Sequence, residues 1–152
     1  VSDAVVETRR LARADVTASP PLVDALAALI HRHGTLYDWA ASQPQPRALR
    51  GRAPVYVATI PDARETVVVR HAWHGGLLAP LTGDRFRRPS RAPLELSRSA
   101  QLRALGIPTT TVLGFARHDA GPGLCRVDVV SRFMPDAYDL GAIAAGLVPD
   151  MT

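Results

Sequence analysis

Residues 66–88 read TVVVRHAWHGGLLAPLTGDRFRR. The β-branched run Val67, Val68 and Val69 predicts a strand, and Arg70 stands at its end. Gly75 and Gly76 predict a turn, and Arg85, Arg87, Arg88 and Arg91 make the following stretch strongly basic. A strand that ends in a fixed cation and leads into a basic loop suits the holding of phosphates. Arginine keeps its charge and presents a planar fork of donors to such groups.

Working outward, residues 55–60 predict a second strand, joined to the first through a turn at Pro61, Asp62, Ala63 and Arg64. Before it, Pro44, Pro46, Gly51 and Pro54 punctuate residues 42–54, which read as loop with one weakly marked short strand. After the basic loop, residues 89–105 predict a helix, with Pro93 in its first turn and Gly106 and Pro108 as stop signals. Residues 110–117 and 124–133 predict two further strands around a turn at 119–123, and another helix begins near Tyr138.

The N-terminal third reads as helical. Residues 1–17 carry weak helical periodicity and predict a helix fragment or a loose tail. Ser19, Pro20 and Pro21 then form a helix start. Leu22, Val23, Leu26, Leu29 and Ile30 recur on one face of that helix, and Gly34 ends it. Thr35 with Asp38 three residues on resembles a capping box for a short second helix. The order is helices, three strands, a helix, two strands and a helix start. It predicts an α+β fold, a five-stranded antiparallel sheet with one inserted helix, preceded by N-terminal helices. The expected division is a helical extension over 1–45, a sheet-bearing lobe over 46–132, and a connecting segment with the start of a further helical part over 133–152.

Composition narrows the function classes. The chain has 152 residues, enough for one ordinary core, with 47% hydrophobic and 21% charged residues. No apolar run approaches the ~20 residues that would cross a bilayer as a helix. A lone cysteine, Cys125, excludes an internal disulfide and fits a reducing compartment, so the expected location is cytoplasmic. Net charge is +4, and all 18 basic residues are arginine. With a pI near 10.2 the surface attracts anions. The first residue is Val1 rather than Met and the last is Thr152, directly after a helix-like segment, which reads as a fragment of a longer protein.

The same order of elements is that of the small lobe of a kinase-like fold, and polar residues fall where that lobe needs them. Residues 47–54 (RALRGRAP), with Gly51 and Arg52, sit at the tip between the first two strands, where backbone N–H groups would cover phosphates. Val67 to Arg70 occupy the place of the V-A-I-K strand. Glu95 lies early in the next helix, where a carboxylate would hold that cation, and Ser99 and Leu102 share its face. Ser131, Arg132, Phe133 and Met134 would form the hinge that meets a base edge through backbone groups.

The run VVVRHAWHGGLLAPLTGDRF resembles the signature of the lipopolysaccharide core kinases (the Kdo/WaaP family), above all its Kdo kinase branch, with R-H-x-x-R-G-G-L followed by D-R-Y. ELSRSAQLRALGIPT and RVDVVSRFMPDAYDL resemble the family's helix and its strand, hinge and next helix start. The likeness runs from about Leu49 to Leu140. It implies an ATP-dependent phosphotransferase acting on a sugar hydroxyl of an anionic inner-core glycolipid, with possible peripheral contact to the cytoplasmic face of the inner membrane. By position it assigns Gly51 and Arg52 to the phosphate loop, Arg70 to the phosphate-side cation, Glu95 to its partner, and Arg132 and Met134 to the hinge. His71, Gly75, Gly76, Asp84 and Arg85 belong to the signature, and His71, Gly75, Gly76, Arg85 and Arg88 are the further phosphate or substrate candidates. Ala53, His74 and Pro80 depart from the pattern. Nothing resembles the H-x-D…N segment, so no catalytic residue is assigned to this chain. The Mg²⁺ ligands that ATP requires are expected in a lobe beyond it.

Other readings stay open. A non-catalytic kinase-like adaptor module is the second. A basic nucleic-acid-binding domain is the third, resting on charge alone, since aromatics make up 5% and no stacking motif is interleaved. Nucleic acid is therefore not an expected partner. His31 with His33 and His71 with His74 lack further ligands, so no metal site is expected. Trp39, Trp73 and Cys125 read as packing residues, and Arg85 to Arg91 could form only a solvated face.

Overall fold

Within the first twenty residues two strands form a hairpin, β1 (Glu7–Arg10) and β2 (Ala14–Ala18). A helix fragment or loose tail was expected there. The strand signal is the alternation of Ala14, Val16 and Ala18, which turn inward with Asp15 and Thr17 between them. It is faint because two of the three inward residues are alanines. The hydroxyls of Thr8 and Thr17, opposite each other in the register, meet at 2.8 Å. These coordinates are a computed structural model and describe residues 5–44, 46–49, 54–74 and 83–135. Gly51, Arg52, Gly75, Gly76, most of the segment expected over 133–152 and the helix start near Tyr138 lie outside the described residues.

Two helices follow the hairpin. In α1 (Pro20–His33) Leu22, Val23, Leu26, Leu29 and Ile30 are buried, as their spacing predicts. The amides of Leu22 and Val23 donate to the Ser19 carbonyl, each at 2.9 Å. Gly34, at φ 87°, ends the helix and donates its amide to the Ile30 carbonyl at 2.8 Å. In α2 (Leu36–Ala41) the Thr35 hydroxyl accepts from the Asp38 amide at 2.9 Å and donates to the Asp38 carboxylate at 2.8 Å. That reciprocal cap fixes where α2 begins.

The remaining elements are β3 (Arg47–Leu49), β4 (Val55–Ile60), β5 (Glu65–His71), β6 (Phe86–Arg87), α3 (Ala92–Ala104), β7 (Val112–Asp119) and β8 (Leu124–Arg132). The sheet is antiparallel in the order β1-β2-β7-β8-β5-β4-β3, with the two-residue β6 pairing β8 off that path. The α+β class is as expected, but the five strands expected are joined by three more among the described residues. The hairpin β1-β2 extends the sheet beyond β7 through an unbroken ladder from Ala14↔His118 to Ala18↔Gly114. One sheet therefore runs across residue 45, where the helical extension was expected to end.

The sheet is covered on both faces. Under α1 and α2 lie Val16, Ala58, Ile60, Val67, Val69, Ala116 and Val130. On the other face α3 and β6 cover Phe115, Cys125, Val127 and Val129 through Ala92, Leu96 and Phe86. Each of the large aliphatic side chains so buried contributes roughly 1.5–3 kcal/mol. Burial raises the pKa of the Cys125 thiol, which keeps it protonated and unreactive.

Gly114 marks a tight seam between β2 and β7. The register shifts between Val112 and Gly114, and a Cβ there would stand 2.6 Å from the Thr17 carbonyl oxygen and 2.7 Å from the Ala18 Cβ. Gly114→Ala should therefore lower stability by roughly 1–3 kcal/mol through overpacking. A urea denaturation midpoint equal to that of the parent would show that β2 does not press on β7 so closely.

Candidate functional site

Strand β5 alternates its side chains between two environments. Val67, Val69 and His71 face α1 and α2, while Val68 and Arg70 face the side carrying α3. The β4 register pairs Val55 with Arg70 and Val57 with Val68, so these side chains share the α3 face. Val55, Val57 and Val68 are half-buried there and form an apolar ledge that leads to the cation.

Arg70 meets the residue expected to hold it. Its Nη2 donates to Glu95 Oε2 at 2.6 Å, although the two lie 25 positions apart in the chain. Glu95 is in the first turn of α3, and its amide donates to the Arg91 carbonyl at 3.0 Å. The buried Ser99, one turn on, anchors the helix. Its hydroxyl donates to the Thr110 carbonyl at 2.7 Å and accepts from the Val112 amide at 3.0 Å. Leu102, which shares that face by spacing, is 37% exposed and does not join the core. The pair is about half exposed, 47% for Arg70 and 39% for Glu95, so the guanidinium keeps donors open to solvent.

Arg132 and Met134 sit at the other end of β5. Arg132 is opposite Val67 in the register, three positions from the Arg70↔Val129 pair, so roughly 10 Å separates them along the strand. Arg132 Nε donates to Glu65 Oε1 at 2.7 Å. With Met134, it lines an open hollow whose other wall is Arg103, Ile107, Pro108 and Thr111. The Phe133 amide donates to the Thr66 carbonyl at 3.0 Å and fixes the chain as it leaves β8.

Of the other candidates among the described residues, Arg85, Arg88 and His71 do not gather around Arg70. Arg88 pairs with Asp119 and lies 3.5 Å from Asp15. Arg85 is exposed, and its carbonyl lies 2.7 Å from His74 Nε2. His71 points to the opposite face of the sheet, where carboxylates take both ring nitrogens. Nδ1 is 2.6 Å from Asp128 Oδ1 and Nε2 is 3.1 Å from Asp84 Oδ2. Trp73, expected to pack, is 52% exposed and meets the His71 ring edge-on at 5.6 Å between centroids.

Around His71 lies a cluster that sequence reasoning missed. Asp128 is fully buried in the centre of β8. Its Oδ2 accepts from the Tyr37 amide at the start of α2 at 3.1 Å and lies 3.3 Å from His118 Nε2, without the alignment of a hydrogen bond. Arg126 Nε approaches Asp84 Oδ2 at 2.7 Å. Burial alone would raise the Asp128 pKa, but His118 and His71 outweigh it and bring it down to about 2. Burial opposes protonation of His71, and the contacts to Asp128 and Asp84 overcome it and raise its pKa. Asp84 is lowered: Arg126 and then His71 outweigh its partial burial. The legible signal was an aspartate inside the apolar run Val127-Asp128-Val129-Val130, since a charge is seldom fully buried without partners.

Arg9, Arg70, Arg88, Arg117, Arg126 and Arg132 each have a carboxylate partner within 3.5 Å. Among the described residues no helix is long and apolar enough to cross a membrane, and no group of three or more His, Cys, Asp or Glu could hold a metal ion. Comparison with protein-family models, with curated proteins and with solved structures returns no match to this chain.

Proposed function

We propose that residues 46–132 are the nucleotide-holding part of an ATP-dependent phosphotransferase of kinase-like fold. Its acceptor would be a sugar hydroxyl on an anionic glycolipid of the lipopolysaccharide inner-core type, reached by peripheral contact with the cytoplasmic face of a membrane. The observation that carries this reading is the Arg70–Glu95 ion pair, formed between a strand end and the first turn of the following helix. In kinases the equivalent cation–carboxylate pair must be in place for phosphates to be held in line. Arg70 has donors left for phosphate oxygens, and Glu95 restrains its swing.

The ledge of Val55, Val57 and Val68 beside that pair supplies a surface for a planar base. The hinge end would be met by backbone groups of residues 131–134, since Arg132, opposite Val67 in the register, is on the other face of the sheet from Arg70. ATP supplies the phosphoryl group. This chain's residues would bind and orient it, while the Mg²⁺ ligands and the group that receives the acceptor proton would lie outside residues 46–132.

The full-length protein, incubated with Mg²⁺, γ-labelled ATP and a Kdo-bearing lipid acceptor, is expected to bind the nucleotide and label the acceptor. Binding without transfer would replace the phosphotransferase with a kinase-like adaptor. Absence of both would remove the nucleotide reading altogether.

A further inference from the structure

The sheet face opposite Arg70 holds the most densely charged buried group among the described residues, and the nucleotide reading makes no use of it. Four side chains lie in line: Asp84, His71, Asp128 and His118, joined at 3.1, 2.6 and 3.3 Å. They come from four separate parts of the chain, residues 83–85, β5, β8 and β7. We propose that this line is a pH-sensitive clasp: while His71 carries two protons it ties Asp84 to the sheet beside Arg126, and when His71 loses one that tie opens and Arg126 is left to hold Asp84.

The geometry dictates both the action and its direction. A protonated imidazole has two N–H donors, and each here faces a carboxylate. A neutral imidazole has one donor, so one carboxylate must then face a lone pair. Asp128 is fully buried, whereas Asp84 is about 20% exposed to solvent and has Arg126 as a second partner. Leaving a buried acceptor unsatisfied is the more expensive outcome. The proton that departs is therefore the one on Nε2, and the contact that opens is His71–Asp84. The raised pKa of His71 places this event above the ordinary imidazole value of 6.5.

The groups that face His71 from each packed element are few. Tyr37 of α2 lies 5.3 Å away, ring to ring, and itself meets Tyr56 of β4 in a tilted contact, 5.2 Å between centroids. β8 contributes Asp128 and the flanking loops contribute Asp84 and Trp73, while His118 of β7 and Arg126 of β8 reach the two carboxylates rather than the ring. The tied segment is held next to His71 by the His74 amide, which donates to the Gly83 carbonyl at 3.0 Å. It carries Arg85, so the seating of that cation on the sheet follows the charge on His71.

The test follows the His71 ring nitrogens by NMR from pH 5 to pH 9 in the full-length protein, together with amide hydrogen exchange at His74. As His71 titrates, Nδ1 should keep its proton, and the protection factor of the His74 amide should fall by roughly tenfold. The α1 amides of Leu26 and Leu29 should not change. In Asp84→Asn, which alters a partly exposed group, the His71 titration should move to lower pH and take the loss of protection with it. The clasp is overturned if His74 protection stays constant through the titration, if Nδ1 rather than Nε2 deprotonates, or if Asp84→Asn leaves the His71 titration in place. None of these readouts depends on nucleotide binding.

Discussion

Asp128→Ala is expected to destabilise the fold by about 3–5 kcal/mol, the range for breaking a buried ion pair from one side. At this chain length that would lower the melting temperature by roughly 10 °C or more. The size follows from what is left behind. His71 would face a cavity on Nδ1, His118 would lose its carboxylate neighbour, and the Tyr37 amide would lose its acceptor at the start of α2. Asp128→Asn should be milder, because an amide oxygen can still accept from Tyr37 or His71. A denaturation curve for Asp128→Ala within 1 kcal/mol of the parent would mean that the cluster contributes little to the fold.

The same residues give stability a defined pH dependence. Asp128 has a depressed folded pKa, so its contribution is complete above the ordinary value of 3.8 and is lost as pH falls toward about 2. Asp84 acts in the same sense. His71 has a raised folded pKa, so its contribution is complete below 6.5 and is lost as pH rises through the raised value. Stability from this cluster should therefore be greatest between those limits, in mildly acidic solution, and decline on both sides.

The second large effect concerns ATP. Arg70→Ala should weaken ATP binding by the full-length protein about 10- to 100-fold, as expected for one charge-assisted contact to phosphate. Stability should change by no more than ~1 kcal/mol, because both partners of the ion pair are partly exposed. Glu95→Gln should weaken binding less, since it loosens the cation without removing it. The double exchange Arg70→Glu with Glu95→Arg separates the two roles of the pair: it restores an ion pair but puts the cation on the helix. A merely structural pair predicts full recovery of ATP affinity, and a phosphate site predicts none. Equal affinity in parent and Arg70→Ala would remove Arg70 from the site.

Local signals were read well where they were strong. The apolar stripe of α1, the Thr35 cap, the β4–β5 hairpin and the stop at Gly106 are each written within a few adjacent residues, and each stands where expected. The Arg70–Glu95 pair was expected only through the likeness of the element order to a kinase-like small lobe, and the two side chains do meet. The β1–β2 hairpin was not legible, because alanine at two inward positions gives almost no periodicity. Its strand character comes from pairing with β7, a partner roughly a hundred residues away.

By itself the sequence determined the α+β class, most element boundaries and the polar residues on the α3 face. Each of these depends on short-range sterics, periodicity and capping. Only the tertiary structure decided that the sheet reaches past β7 to an N-terminal hairpin. It alone decided that His71 turns away from Arg70, and that Asp84, His71, Asp128 and His118 lie in one line. Register makes such decisions: cross-strand partners are set by pairing along the whole sheet, and one residue of slip would send each of these side chains to the opposite face.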